Sequence, residues 1–318
     1  MSPPLCRFGL LIAALLAGAC RQQPAVPAPR QIRIATGSKS GVYHPLGRAL
    51  AEIYNKRVPN VAASAIDTTG SLFNVRAVAE GHAELAFTQA DVAYSAFQGT
   101  LGDVNKYGKL RAMAVLYVNA VQIVALRGSD VYRIRDLAGR RVGVGAPESG
   151  TEIASHLILQ VEGLDSKIRA ESLTFDQIAA AMKDHNLDVG FMVSNYPVPA
   201  ITELSKTVGV RMIAVDAEIA RRVRSAYPFL RPIRIPRGTY DGQDQDVPTM
   251  GVDNLLVCSS DLADDLVHDL TRLFIESSSG LATVHPAAAA IDPEQASAAP
   301  IPIHSGAIRF YRERQLLR

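Results

Sequence analysis

The sequence has no tryptophan, three cysteines and almost no excess charge of either sign. Each shortage removes a class of protein. Thirty-three Lys and Arg against 31 Asp and Glu leave a net charge of +2, without the basic excess that marks nucleic-acid binding, so no nucleic-acid partner is expected. Cys6 and Cys20 fall in the first twenty residues, leaving only Cys258 in "NLLVCSS". One thiol makes neither an intramolecular disulfide nor a multi-cysteine metal site, and a buried strand thiol is expected. H-E-x-x-H, paired-cysteine and G-x-S-x-G signatures are absent, and the seven histidines are scattered. No metal or cofactor is expected, and His44 and His304 read as surface or capping residues.

Nucleotide signatures are missing too. A P-loop needs G-x-x-x-x-G-K-[ST]; in "ATGSKSGV" Gly37 and Gly41 are too close and Val42 stands where Lys belongs. "GVGAPESGT" contains Gly143-x-Gly145, but Glu148 occupies the place of the third dinucleotide glycine, where a carboxylate repels pyrophosphate.

The start of the chain is informative. "MSPPLCRFGLLIAALLAGAC" has Arg7 and an apolar run, Phe8–Ala19, that is shorter than the ~20 residues a bilayer span requires and fits a secretory signal. Ala17, Gly18 and Ala19 lead into Cys20 as in a lipobox, with Ala17 where Leu is usual. Residues 1–20 are therefore expected to be a lipoprotein-type signal peptide with Cys20 as lipid attachment site. Residues 21–31, "RQQPAVPAPRQ", read as a Pro-rich flexible tether.

The whole 318-residue chain is 48% apolar, enough for one or two real cores. It repeats one grammar: apolar strand, Gly/Ser/Thr loop, amphipathic helix. Strands are expected at Ile32–Ala35, "VAASAI", "AELAF", Ala112–Tyr117, Val121–Leu126, Val142–Ala146 and in "NLDVGFMVSNY" and "MGVDNLLVCSS". Ser149 and Glu152 have capping-box spacing, and Ser260 or Asp261 is expected to cap the helix of "DLADDLVHDLTRLFIES". Alternating units imply a parallel or mixed sheet covered by helices. The pattern restarts near Val121 and a strand returns near residue 250. This predicts lobe I at 32–120 and 248–318 and lobe II at 121–247, hinged at Val121–Leu126 and Leu255–Ser259. The six arginines of "RRVRSAYPFLRPIRIPR" read as a solvated face or a docking patch.

Ligands of open α/β sheets bind beyond the carboxyl ends of strands. The Gly/Ser loops fall there, each placing backbone N–H groups at a positive helix N-terminus, with hydroxyls of Thr36, Ser38, Ser40, Thr69, Ser71, Ser149 and Thr151 beside them.

The segments "IATGSKSGVYHPLG", "TTGSLFNVRAVAEGHAELAFTQADVAYSAF", "VGVGAPESGTE", "DVGFMVSNYPVPAITEL", "VPTMGVDNLLV" and "IPIHSGAIRFYRE", in this order, resemble the TAXI family of TRAP-transporter solute receptors, from about residue 31 onward. The family's first loop is richer in glycine; Ser38, Lys39, Ser40 and His44 depart from it. The resemblance implies an α/β, two-lobed, type II periplasmic-binding-protein-like fold with a ligand cleft between lobes. It implies ligand contacts from Thr36, Gly37, Gly41, Tyr43, Gly70, Ser71, Asn74, Gln89, Asp91, Ser149, Gly150, Thr151 and Tyr196, with Lys39 as an added cation. It also implies a non-enzymatic, monomeric receptor in the periplasm or at the cell surface, lipid-anchored to the membrane. That receptor takes a small anionic or zwitterionic solute, glutamate-like or dicarboxylate, to a TRAP-type permease. Two alternatives stay open at this point: a receptor feeding a membrane sensor, and a cleft enzyme such as a transferase using Asp91, Glu148 or His44.

Overall fold

The computed structural model describes residues 28–100 and 106–317. The expected signal peptide, Cys20 and most of the tether lie outside the described residues. Strand β1 (Arg30–Ala35) begins two residues early: Arg30 and Gln31, expected in the tether, pair in register with Val61 and Ala62.

The first units follow the expected grammar: α1 (Tyr43–Arg57), β2 (Val61–Ile66), α2 (Ser71–Ala79), β3 (Leu85–Gln89) and α3 (Ala90–Gln98). Every residue of β3 is buried, as befits a strand covered on both faces. Next comes β4 (Leu110–Leu126), one continuous strand where two were expected. The polar step at Asn119 reads in sequence as a break, but the Asn119 side chain is bonded across the sheet to Asn254, so the ladder continues. Then follow β5 (Arg141–Gly145), α4 (Gly150–Val161), β6 (Arg169–Ser172), α5 (Phe175–Lys183), β7 (Val189–Ser194), α6 (Pro199–Thr207), β8 (Val210–Ile213), α7 (Ala217–Ala226) and β9 (Arg231–Ile235). The chain returns through β10 (Val247–Ser259) and closes with α8 (Asp264–Glu276), α9 (Ser278–Val284) and α10 (Ser305–Glu313).

The described strands form one ten-stranded mixed sheet of order β2-β1-β3-β10-β4-β7-β5-β6, with β8 on β4 and β9 on β10. β1 pairs in parallel with β2 and β3, and β5 with β6 and β7; the long strands β4 and β10 are antiparallel to all their partners. The expected α/β class, helices on a central sheet, is the observed one. Alternation along β10 distributes the core: Leu256 and Cys258 face α1, α8 and α10, while Leu255 and Val257 face α2 and α3. At the other end Val121, Ile123 and Phe191 pack on α4 and α7, and Val124 and Met192 on α5 and α6. Cys258 is a buried free thiol, and burial pushes its pKa up.

Two local expectations differ. Helix α8 starts at Asp264 with Ala263 at its cap position and no side-chain cap. Asp261 is engaged elsewhere, by Lys109 at 2.8 Å, and its N–H donates to Ser259 Oγ. The expected hinge segments are both paired: Val121–Leu126 with β7 and β8, and Leu255–Ser259 with β3 and, through a register shift between Leu256 and Val257, with β4. The exchange of neighbours falls instead at Ala120 of β4, which pairs with both Gly251 of β10 and Ser194 of β7. On β10 it falls between Gly251, the last β9 partner, and Asn254, the first β3 partner.

Candidate ligand-binding site

A cavity of about 70 Å³ lies at the carboxyl ends of β1, β3, β5 and β7, lined from both ends of the sheet and partly open to solvent. That is well below the ~300–1,000 Å³ of drug-sized pockets. From one side come Gly37, Ser38, Gly41, Tyr43, Gly70 and Ser71, with Thr68 and Thr69 beside them; from the other come Ser149, Gly150, Thr151 and Ser194, and from the middle Gln89 and Asn119. Thr174 and Phe175 at the start of α5 complete the wall. No charged side chain is among the described lining residues.

Backbone donors fix the hydroxyls. Ser149 caps α4, its Oγ accepting from the N–H of Glu152 at 3.0 Å. Glu152 does not complete the capping box; its carboxylate accepts from the Glu148 N–H at 2.8 Å. Thr151 Oγ1 accepts from the Val193 N–H at 3.1 Å, and Ser71 Oγ from the Gln89 N–H at 3.1 Å. The first N–H groups of α4 have no partner within the helix and lie on the cavity. The expectation that α2 offers its N-terminus likewise does not hold. The N–H groups of Leu72 and Phe73 donate to the Glu148 carbonyl at 3.0 and 3.2 Å. This contact joins the β5–α4 loop to α2 and is reinforced by Arg76 on the Glu148 carboxylate at 2.7 Å. Two glycines make it possible: Gly70 has φ +132° and lies against Ser149, while a side chain at Gly150 would overlap the Gln89 carboxamide.

Nine of the fourteen expected contacts therefore line the cavity: Gly37, Gly41, Tyr43, Gly70, Ser71, Gln89, Ser149, Gly150 and Thr151. Five do not. Thr36 is wholly buried and donates to the Ile66 carbonyl at 2.7 Å. Asn74 ties the ends of β1 and β3 together, donating to the carbonyls of Thr36 at 2.6 Å and Phe87 at 2.7 Å. Lys39 turns outward to Asp67 at 3.7 Å; His44 Nδ1 is 2.7 Å from the same carboxylate. Lys39 and His44, two of the four loop residues singled out in the sequence, thus lie against Asp67. Asp91 lies behind the wall with one oxygen unpartnered, and burial lifts its carboxyl to about 6. Tyr196 packs into the core beside α6.

Sequence reasoning missed Asn119, Thr68, Thr174, Phe175, Val193 and Ser194. Thr174 had a signal: Thr174-x-x-Gln177 is a capping box, and the structure forms it. Asn119 is a lone amide in an apolar run, which in itself flags a polar task.

A family model described as NMT1-like matches residues 34–314. The chain belongs to the NMT1-like family. Solved structures share the fold of this NMT1-like chain. A protein of Bordetella bronchiseptica RB50 is 19% identical with a TM-score of 0.52, covering 92% of this chain and 90% of that one. A putative L-cystine ABC transporter from Listeria monocytogenes is 12% identical with a TM-score of 0.50, covering 80% and 94%. A third, solved with L-arginine bound, is 13% identical with a TM-score of 0.50, covering 81% and 88%. No helix among the described residues is long and apolar enough to cross a membrane.

Proposed function

We propose that this protein is an extracytoplasmic solute receptor that captures a small carboxylate or amino acid and passes it, unaltered, to a membrane permease. One observation carries the reading: a compact, partly open cavity walled by hydroxyls, carboxamides and a helix N-terminus, free of charged side chains among its described lining. Such a wall holds an anion or zwitterion through directed hydrogen bonds. It does not offer the nucleophile–base pair an enzyme requires: Asp91 is behind the wall, Glu148 is paired with Arg76 and His44 lies against Asp67. In this reading residues 32–120 with 248–318, and 121–247, are two lobes that close on the solute.

The ordered segments that resemble TAXI receptors support a TRAP-type permease as partner. The transporter name of the Listeria neighbour supports an ABC-type permease as the second reading, and it and the arginine-bound structure favour amino acids as solutes. A thermal-shift screen of the purified protein against carboxylates and amino acids tests the function. A true ligand at a hundredfold over its Kd stabilises the folded state by about 2.7 kcal/mol; a screen without a shift, or consumption of a compound, sinks the receptor reading. The anchor is tested separately: Cys20→Ala is expected to leave the membrane fraction, and its retention there refutes lipid attachment at Cys20.

A further inference from the structure

The wall of the cavity contains two buried carboxamide oxygens with no partner, Gln89 Oε1 and Asn119 Oδ1. Both residues are nearly inaccessible, at 2% and 3% exposure, and both line the cavity. For Asn119 the identity of the free atom is dictated by its neighbours. Asn254 Nδ2 donates to the Tyr117 carbonyl at 2.8 Å, and a reversed Asn254 would set oxygen against oxygen. Asn254 Oδ1 therefore faces the other way, where it accepts from the Tyr43 hydroxyl and from Asn119 Nδ2, the latter at 2.9 Å. Asn119 must spend its NH2 group there, and its buried oxygen is left without a partner in a residue that lines the cavity. A buried carbonyl oxygen accepts only, and leaving it unmatched costs free energy. A carboxylate brought against it repels it; an N–H group satisfies it. The same wall carries groups of opposite sense: the hydroxyls of Ser149 and Thr151, whose oxygens already accept from backbone N–H groups, are left to donate, beside the positive start of α4.

We infer that Asn119, with Gln89, selects ligands that carry an ammonium group, so that within the receptor function proposed above the solute is a small α-amino acid and not a dicarboxylate. Its ammonium donates to the two carboxamide oxygens, and its carboxylate accepts from α4 and the hydroxyls that flank it.

The test is calorimetric titration of the intact protein with pairs that differ only in the amine: L-alanine against propionate, L-aspartate against succinate, L-glutamate against glutarate. One amino acid is expected to bind, with its deaminated partner weaker by roughly ten- to a hundredfold, the loss of a charge-assisted bond. Asn119→Ala is expected to erase that gap by weakening the amino acid alone. If Asn119→Ala does not fold, Gln89→Leu, away from the Asn254 network, is expected to narrow the gap. A succinate or glutarate that binds as tightly as its amino acid, or an Asn119→Ala that weakens both members equally, overturns the inference while leaving the receptor reading intact. Binding of neither class overturns both.

Discussion

At the scale of single residues, burial of Asp91 ties stability to pH. Only one of its oxygens has a partner, the Val92 N–H at 2.8 Å, and burial raises its carboxyl from 3.8 to about 6. A carboxyl that holds its proton more tightly folded than unfolded lowers stability as pH rises through the interval between those values. The penalty is absent below pH 3.8, grows to about pH 6 and is complete above it, at roughly 3 kcal/mol. Asp91→Asn keeps the Val92 bond and removes the charge. The variant is expected to melt higher than the parent at pH 8 and no higher at pH 4; thermal unfolding across that range checks it, and equal melting curves at pH 8 refute it. At this scale residue type was legible, but direction was not. Thr36 and Lys39 sit in, and Asn74 directly after, the loops that sequence pattern marks as ligand-facing, yet helix phase turns Asn74 into the sheet and a neighbouring carboxylate draws Lys39 outward. Spacing along the chain does not contain Asp67's position in space.

Among the elements, the β5–α4 loop has the most distinctive design. Glu148 adopts φ +60°, a left-handed conformation rarely adopted by residues with a side chain. Its carbonyl caps α2 and its carboxylate meets Arg76. That ion pair is about one-third exposed on both sides, so its own contribution is small, and the fit of Gly70 and Gly150 matters more. Gly150→Ala drives a methyl into the Gln89 carboxamide. Overpacking of this kind costs ~1–3 kcal/mol, and Gln89 or the loop must give way. Ligand affinity is expected to fall by roughly ten- to a hundredfold, with the secondary structure intact by circular dichroism; unchanged affinity by titration would show that this close approach is irrelevant to binding. The strand–loop–helix units were readable because their apolar periods are clean. Strand β9 was not, since Pro232 and the arginines at 231 and 234 resemble a loop; it is an edge strand, where proline is tolerated, paired only with β10.

At the scale of the whole molecule, β4 and β10 are the structural link between the two ends of the sheet, and the ligand reading makes their exchange point a hinge. The restart of the sequence pattern near Val121 falls beside Ala120, where β4 changes its strand partner. On β10 the exchange lies upstream of the expected Leu255–Ser259, because register, not apolar pattern, decides where neighbours change. Gly251 stands at that point, away from the cavity, with room so limited that a Cβ would come within 2.7 Å of Val118 and 2.8 Å of Ile233. Gly251→Ala must then push β4 from β9 across the exchange point. At ~1–3 kcal/mol, and with a domain of this size losing ~2–4 °C per kcal/mol, the melting temperature is expected to fall by several degrees. If closure about this point accompanies binding, the substitution also weakens the ligand without touching it, and small-angle scattering separates the two effects. The parent is expected to become more compact at saturating ligand and Gly251→Ala to become less so. A parent whose scattering profile is unchanged by ligand excludes lobe closure, and a variant that melts lower yet binds and compacts like the parent confines Gly251 to packing.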